Sequence, residues 1–239
     1  MLEIDDVSRT FGTTTAVDHL SLRVAPGDFL GLIGPNGAGK STTIKMIVGQ
    51  LKPSRGTIRI NGLDVFAHPI AARRAFGYVP EFVSLYEFLT GAEFLEFIAE
   101  VKGLSPDAAS TELREVLELL ELGEERTRLI RTYSQGMRRK VAIAAALLGS
   151  PPLLVLDEAL NGLDPDTSAR LKDHLRHRVS QGDAVILSSH ILEQLERICN
   201  RAAIMKKGRC IDLLDRAQLD AIRNQPGGLE AYFMKALRA

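Results

Sequence analysis

The sequence predicts an α/β fold: a largely parallel sheet covered on both faces by helices, with an all-helical lobe inserted into it. Three observations carry that prediction. Short apolar runs bounded by turn residues alternate with stretches of helical spacing, as parallel strands and crossover helices require. A glycine-rich stretch, Gly34–Thr42, lies between such a run and such a helix. From Leu85 to Leu148 the strand signals give way to helical periodicity. With 239 residues and 45% apolar content, the chain can bury one large core and still carry a lobe.

In chain order, Leu2–Val7 reads as a first strand and Arg9-Thr10-Phe11-Gly12 as a turn. Ala16–Ala25 alternates apolar and polar residues and reads as a second strand, closed by Pro26-Gly27. Phe29–Ile33 is a buried strand, and the spacing of Ile44, Ile47 and Val48 predicts a helix after the glycine-rich stretch. Pro53-Ser54-Arg55-Gly56 is a turn, Thr57–Ile60 a strand and Asn61-Gly62 a tight turn. Ile70–Arg74 has the makings of a short helix, and Phe76–Glu81 reads as a short strand ending in a loop. Phe94, Leu95, Phe97, Ile98 and Val101 make one apolar helix face, and Leu113, Val116, Leu117 and Leu120 another. Gly123 sits where a helix-ending glycine is preferred. Gln135–Leu148 is a further helix with Arg138, Arg139 and Lys140 near its start, where cations oppose the helix dipole. Solvated side chains, or a role other than stability, would each account for them. Strand patterns return at Leu153–Glu158, Ala184–His190, Ala202–Met205 and Arg209–Asp212. Helices fall at about Pro165–Val179 and Ile191–Cys199, and an apolar stripe (Leu229, Tyr232, Phe233, Leu237) marks a closing helix.

Two stretches carry chemistry. Gly34-Pro35-Asn36-Gly37-Ala38-Gly39-Lys40-Ser41-Thr42 reads G-x-x-x-x-G-K-S between strand and helix, the context of a phosphate-binding loop. Its glycines allow backbone conformations closed to residues with a Cβ, so successive N–H groups can face phosphate oxygens. Lys40 is expected to reach the β and γ phosphates, and the Ser41 hydroxyl to ligate Mg²⁺. Leu153–Glu158 ends four apolar residues in two carboxylates at a strand's C-terminal edge, where ligands of open α/β sheets sit. Asp157 suits Mg²⁺, and Glu158 suits a general base toward an attacking water. His190, at the end of a strand, can donate to a γ-phosphate or simply satisfy a neighbour. Ser134, ahead of Gln135-Gly136-Met137, can cap the next helix or help form an anion site; the residues alone favour the cap. Phe11, taken alone, reads as core rather than ligand.

The bulk numbers weigh against other classes. Lys+Arg and Asp+Glu are 30 each, giving zero formal charge, whereas phosphate-backbone binding favours a basic surplus. No apolar run approaches the roughly 20 residues of a membrane span, and the acidic start, Met1–Asp6, lacks the pattern of a secretion signal. Cys199 and Cys210 have no metal-ligand spacing around them and read as idle thiols of a reducing compartment.

Together these residues resemble the ATP-binding subunit of an ABC transporter, over about Leu2 to Asp212 and with the motifs in the family's order. Gly34–Thr42 matches Walker A, and Leu153–Glu158 matches Walker B with its catalytic glutamate. Asn161–Pro165 matches the D-loop, His190 the switch histidine, Gly77–Glu81 the Q-loop position and Tyr133–Met137 the signature. Phe11 falls where the family stacks an aromatic on adenine. Two departures stand out: Gln135 and Met137 alter the usual Leu-Ser-Gly-Gly-Gln, and Glu81 replaces the Q-loop glutamine. Both resemble the exporter branch whose permease is a separate six-helix protein.

The resemblance implies a P-loop NTPase core of RecA type with an N-terminal antiparallel β region, spanning 1–81 and 150–212. It implies a helical signature subdomain at 82–149 and a short C-terminal helical extension at 213–239. It further implies two chains sandwiching two ATP molecules, with Ser134, Gly136 and Asp164 joining the nucleotide contacts and Glu81 joining Ser41 and Asp157 at Mg²⁺. A membrane permease would dock on the helical lobe and the Glu81 loop, placing the chain on the cytoplasmic face of the membrane. A soluble ABC ATPase acting on nucleic acid or ribosomes is disfavoured by the single cassette and the absence of a basic surplus. A non-hydrolysing regulatory module is disfavoured by the presence of Glu158 and His190.

Overall fold

The computed structural model describes residues 1–238 as two sheets with helices packed around them. The smaller sheet is antiparallel, with order β2-β1-β4-β5: β1 (Leu2–Phe11), β2 (Thr14–Val24), β4 (Arg55–Ile60) and β5 (Leu63–Asp64). The larger has order β10-β9-β3-β8-β7-β6. In it β3 (Phe29–Ile33), β6 (Phe76–Val79), β7 (Leu153–Asp157), β8 (Ala184–Ser188) and β9 (Arg201–Lys206) run parallel. β10 (Arg209–Leu214) closes one edge antiparallel to β9.

The central strands are buried on both faces, and alternate residues feed two cores. Leu30, Leu32, Leu153, Val155 and Ile186 face the antiparallel sheet and α1 (Lys40–Ile47). Phe29, Ile33, Leu154, Leu156, Val185 and Leu187 face the other core, shared by the helical lobe and the helices of the C-terminal half. Because β3, β7 and β8 are adjacent and parallel, their C-terminal ends converge at one edge, with Asp157 opposite Ser188. The phosphate loop leaves β3 at that same edge.

The lobe consists of α3 (Gly91–Val101), α4 (Pro106–Leu119) and α5 (Gln135–Leu147). Thr90 and Glu93 form a capping box at α3, Ser105 caps α4 and Ser134 caps α5. The lobe is fastened to the sheet where α5 passes β6. A Cβ on Gly77 would lie 2.1 Å from the Ala146 carbonyl oxygen, so only glycine permits this approach. The Lys102 ammonium donates to the last carbonyls of α5, Ala145 at 2.9 Å and Ala146 at 3.4 Å, with Leu148 beyond them. A cation there complements the helix dipole, although burial lowers its pKa to about 8.

Several sequence expectations need correction. β1 continues through Arg9–Phe11, because these residues pair with Val17, Thr15 and Thr14; the turn is Gly12-Thr13. The left-handed residue that ends α4 is Glu121 (φ 54°), not Gly123. Its carboxylate is engaged by Thr167 and Arg170 of α6 (Pro165–Ser180), tertiary bonds that offset the backbone cost. The apolar face of α3 is split: Phe94 and Leu95 are buried, while Phe97 and Val101 point outward. Tyr86 packs edge-on against Phe97 at 6.0 Å. Strand β8 stops at Ser188, so His190 lies on the loop before α7 (Leu192–Ile198) rather than on the strand. The closing segment holds two helices, α8 (Arg216–Arg223) and α9 (Gly228–Arg238). Glu196 of α7 accepts from the first turn of α9 at Leu229 N, 3.1 Å away. The remaining short helix, α2 (Pro69–Arg74), connects the two sheets.

Candidate nucleotide site

The glycine-rich loop is shaped by what presses on it. A Cβ on Gly34 would meet the Met205 carbonyl oxygen at 2.6 Å, and one on Gly39 (φ +103°) the Ala16 carbonyl oxygen at 2.6 Å. Gly208, in the turn between β9 and β10, donates to the Ala38 carbonyl at 2.9 Å. Two neighbouring segments thus hold the loop open. Among the described residues, the backbone N–H groups of Gly37, Gly39, Lys40, Ser41 and Thr42 have no acceptor within the chain. Five free donors at the start of an eight-residue helix form a ready anion site, and the residues fit a polyphosphate. The Lys40 ammonium rests on the Gly34 and Pro35 carbonyls of its own loop, at 2.6 and 3.2 Å. Burial lowers its pKa, against the opposing pull of Glu158, Asp157 and Glu81.

Asp157 is only 4% exposed and accepts a hydrogen bond from Ser188 Oγ. Ser188 Oγ also accepts from Glu158 N at 3.1 Å, so one hydroxyl sets both acidic residues. Burial raises the Asp157 pKa more than this bond lowers it, and repulsion from Glu81 and Glu158 adds to the rise. This excess of negative charge fits a divalent cation held by Ser41, one or two carboxylates and substrate phosphates, the usual arrangement for Mg²⁺.

The same shift gives a stability prediction. A carboxyl whose pKa is raised by folding binds its proton more tightly when folded. Its stabilising contribution is therefore complete below the unfolded pKa and is lost as pH rises through the folded one. Asp157→Asn removes the charge and keeps an acceptor for Ser188. At neutral pH the nucleotide-free variant should melt higher than wild type, by about 2–4 °C for each kcal/mol gained. The gap should close in acid, and thermal melts at both pH values check it. A lower melting temperature at neutral pH would contradict this account.

Glu158 follows the strand with φ +51°, an uncommon conformation for a residue with a side chain. Its carboxylate Oε2 accepts from Asn161 Nδ2 at 2.8 Å and lies 3.0 Å from His190 Nδ1. The base-like carboxylate and the switch-like histidine are therefore neighbours. Phe11 ends β1 at 47% exposure, with the Arg9 guanidinium 4.7 Å from its ring centroid. Thr14, its cross-strand partner, lies two residues before the Ala16 carbonyl that abuts Gly39.

Ser134 and Gly136 are engaged at the head of α5. Ser134 Oγ caps α5 by accepting from Met137 N at 3.2 Å, and a Cβ on Gly136 would lie 2.8 Å from the Gly162 carbonyl oxygen. Among the described residues, no hydrogen bond joins either one to Gly34–Thr42 of the same chain. Asp164, expected at the nucleotide, is occupied within the chain. It caps α6 at Thr167 N (2.8 Å) and pairs with Lys140 at 2.8 Å, and these bonds, Lys140 first, hold its pKa well below the usual carboxylate range.

The three cations at the head of α5 are all engaged by partners within the chain. Arg138 pairs with Glu87, Lys140 pairs with Asp164, and Arg139 is 6% exposed and donates to two main-chain carbonyls. Sequence reasoning gave no site role to Ser188 or Arg139, and it met Asn161 only as the first residue of the D-loop match. The signal for Arg139 was the misplaced charge at the start of α5; Ser188 had none.

Comparison with known proteins agrees with this geometry. The sequence profile described as ABC transporter matches residues 17–161. The daunorubicin/doxorubicin resistance ATP-binding protein of Streptomyces peucetius is 39% identical over 210 residues, covering 88% of this chain and 64% of that protein. The chain thus spans somewhat less than two thirds of that relative. A solved ATP-binding subunit of an ABC transporter superposes with TM-score 0.92 at 36% identity, covering 99% of both chains. A dimeric bacterial ABC transporter cassette superposes with TM-score 0.83 at 25% identity, over 90% of this chain and 99% of that one.

Proposed function

The chain belongs to the ABC transporter family as an ATP-binding and ATP-hydrolysing subunit, and from that membership we propose that it drives export through a separate membrane permease. The reading is supported by one observation: among the described residues, no hydrogen bond joins Ser134 or Gly136 to Gly34–Thr42 of the same chain. On this reading the open amides of Gly34–Thr42 and the pair Ser134–Gly136 are two half-sites. A second copy turned head to tail brings each pair to the other's phosphate loop, where the N-terminus of α5 points its free N–H groups at the γ-phosphate. A second copy so placed would give a use to an open groove of about 770 Å³ lined by Asn161, Gly162, Leu163 and His190.

Within each composite site Lys40 and the loop amides bind the β and γ phosphates, and Phe11 stacks on the adenine. His190 donates to the γ-phosphate, and Glu158 orients and deprotonates the attacking water. Mg²⁺, held by Ser41, Asp157 and Glu81, would neutralise charge developing on the phosphates.

Among the described residues, no helix is long and apolar enough to cross a membrane. The stretch from Phe82 to the end of α3 does expose large apolar side chains: Phe82 (83%), Phe88 (81%), Tyr86, Phe97 and Val101, with Tyr86 packed on Phe97. Such a patch beside the Glu81 loop suits the apolar surface of a permease. It would hold the chain at the cytoplasmic face of the membrane. Export as the direction draws on the resistance role named for the Streptomyces relative.

Complementation tests the composite site. Lys40→Ala disables a phosphate loop, while Ser134→Asp keeps the α5 cap but sets a negative charge against the partner's γ-phosphate. Neither variant alone should release phosphate. In an equal mixture half the dimers are mixed and each has one intact site of two, so about a quarter of wild-type activity should return. A mixture as inactive as its components would rule out the head-to-tail arrangement.

A further inference from the structure

We propose that Arg139 is a positioning residue for hydrolysis, tying the loop that carries Glu158 and the loop that carries Glu81 to the head of the signature helix. The inference rests on the ATPase reading above and extends it to a residue outside the nucleotide contacts. Arg139 lies one turn into α5 and is 6% exposed. Nη1 donates to the Glu158 carbonyl at 3.0 Å, and Nη2 donates to the Glu81 carbonyl at 2.8 Å. The two bonds diverge from one planar fork, which a lysine cannot reproduce.

Glu158 needs such support because its backbone is left-handed (φ +51°). From the sheet side, its N–H donates to Ser188 O and Oγ. Its carbonyl accepts from Asn161 N at 3.2 Å and, from the lobe, from Arg139. The neighbours of Arg139 are also fixed: Arg138 to Glu87 and Arg131, and Lys140 to Asp164. The cation therefore sits at the head of α5 against the dipole because it is needed there, offset by the nearby carboxylates of Glu158, Glu81 and Asp157. The helix whose cap is Ser134 thus cannot shift against the sheet without displacing both acidic loops. Arg139 makes the aim of the base depend on where the lobe stands.

Arg139→Lys keeps the charge and loses the fork. It should lower kcat for phosphate release by about 10- to 100-fold, the scale of an ångström-sized misplacement. KM for ATP should stay within about threefold, and the melting transition should remain cooperative. In a Glu158→Gln background, where the base is already absent, adding Arg139→Lys should lower the residual rate by less than about twofold. Arg139→Gln, which keeps a single donor group, should give the same split and carries the test should the lysine variant not fold. Wild-type kcat in Arg139→Lys, a raised KM with unchanged kcat, or an undiminished loss in the Glu158→Gln background would each overturn the role. A wild-type chain that releases no phosphate would overturn the ATPase reading beneath it, so the two failures are distinct.

Discussion

Glu158→Gln should lower steady-state phosphate release by about 10²- to 10⁴-fold, the range of a lost general base, while ATP affinity is retained. The substitution is nearly isosteric. A glutamine oxygen can still accept from Asn161 Nδ2, 2.8 Å away in the native chain, and can still lie beside His190. What it cannot do is take a proton from water. Glu158 is also one of three carboxylates whose field converges on Lys40. Removing one of them reduces repulsion toward a triphosphate, so binding does not weaken. With binding intact and turnover blocked, ATP should stay enclosed between two copies, and the variant should elute as a dimer in gel filtration with ATP. Elution as monomer alone would refute the sandwich, and wild-type phosphate release would refute Glu158 as the base.

The parts of the site legible from sequence are those written in consecutive residues. The phosphate loop needs its glycines, Lys40 and Ser41 together, and Asp157-Glu158 closes an apolar strand, so each carries its own context. The parts that were not legible depend on register between distant segments. Ser188 reaches Asp157 because β7 and β8 pair those two positions, 31 residues apart. Arg139 finds the Glu81 and Glu158 carbonyls because the lobe folds back over the strand ends; from sequence it showed only as a charge in the wrong place. The fold follows the same division. Buried strands were visible as apolar runs, whereas the end of α4 was misplaced at Gly123 because two tertiary bonds let Glu121 take the left-handed position. The apolar stripe of α3 was wider than the face it buries, and its surplus, Phe97 and Val101, lies in the exposed patch assigned to the permease.

Lys40→Ala should weaken ATP binding itself, by about 100-fold or more. Two charge-assisted hydrogen bonds, to the β and γ phosphates, contribute about 1.5–3 kcal/mol each, and each 1.4 kcal/mol is tenfold in affinity. The native chain already keeps this ammonium poised over the loop, on the Gly34 and Pro35 carbonyls, so little reorganisation opposes its transfer to phosphate. Its loss has a second consequence. Asp157, Glu158 and Glu81 each act electrostatically on Lys40, and with Lys40 gone a triphosphate would meet their field without the cation that offsets it. The two effects act in the same direction, so Lys40→Ala and Glu158→Gln should part in a binding titration: one loses affinity, the other keeps it and loses turnover. Adding Mg²⁺ should restore only part of the Lys40→Ala affinity, because the cation offsets the carboxylates but supplies no donor at the lysine's position. Affinity equal to wild type in Lys40→Ala would mean that the triphosphate binds away from the Gly34–Thr42 loop, and every role assigned around that loop would fall with it.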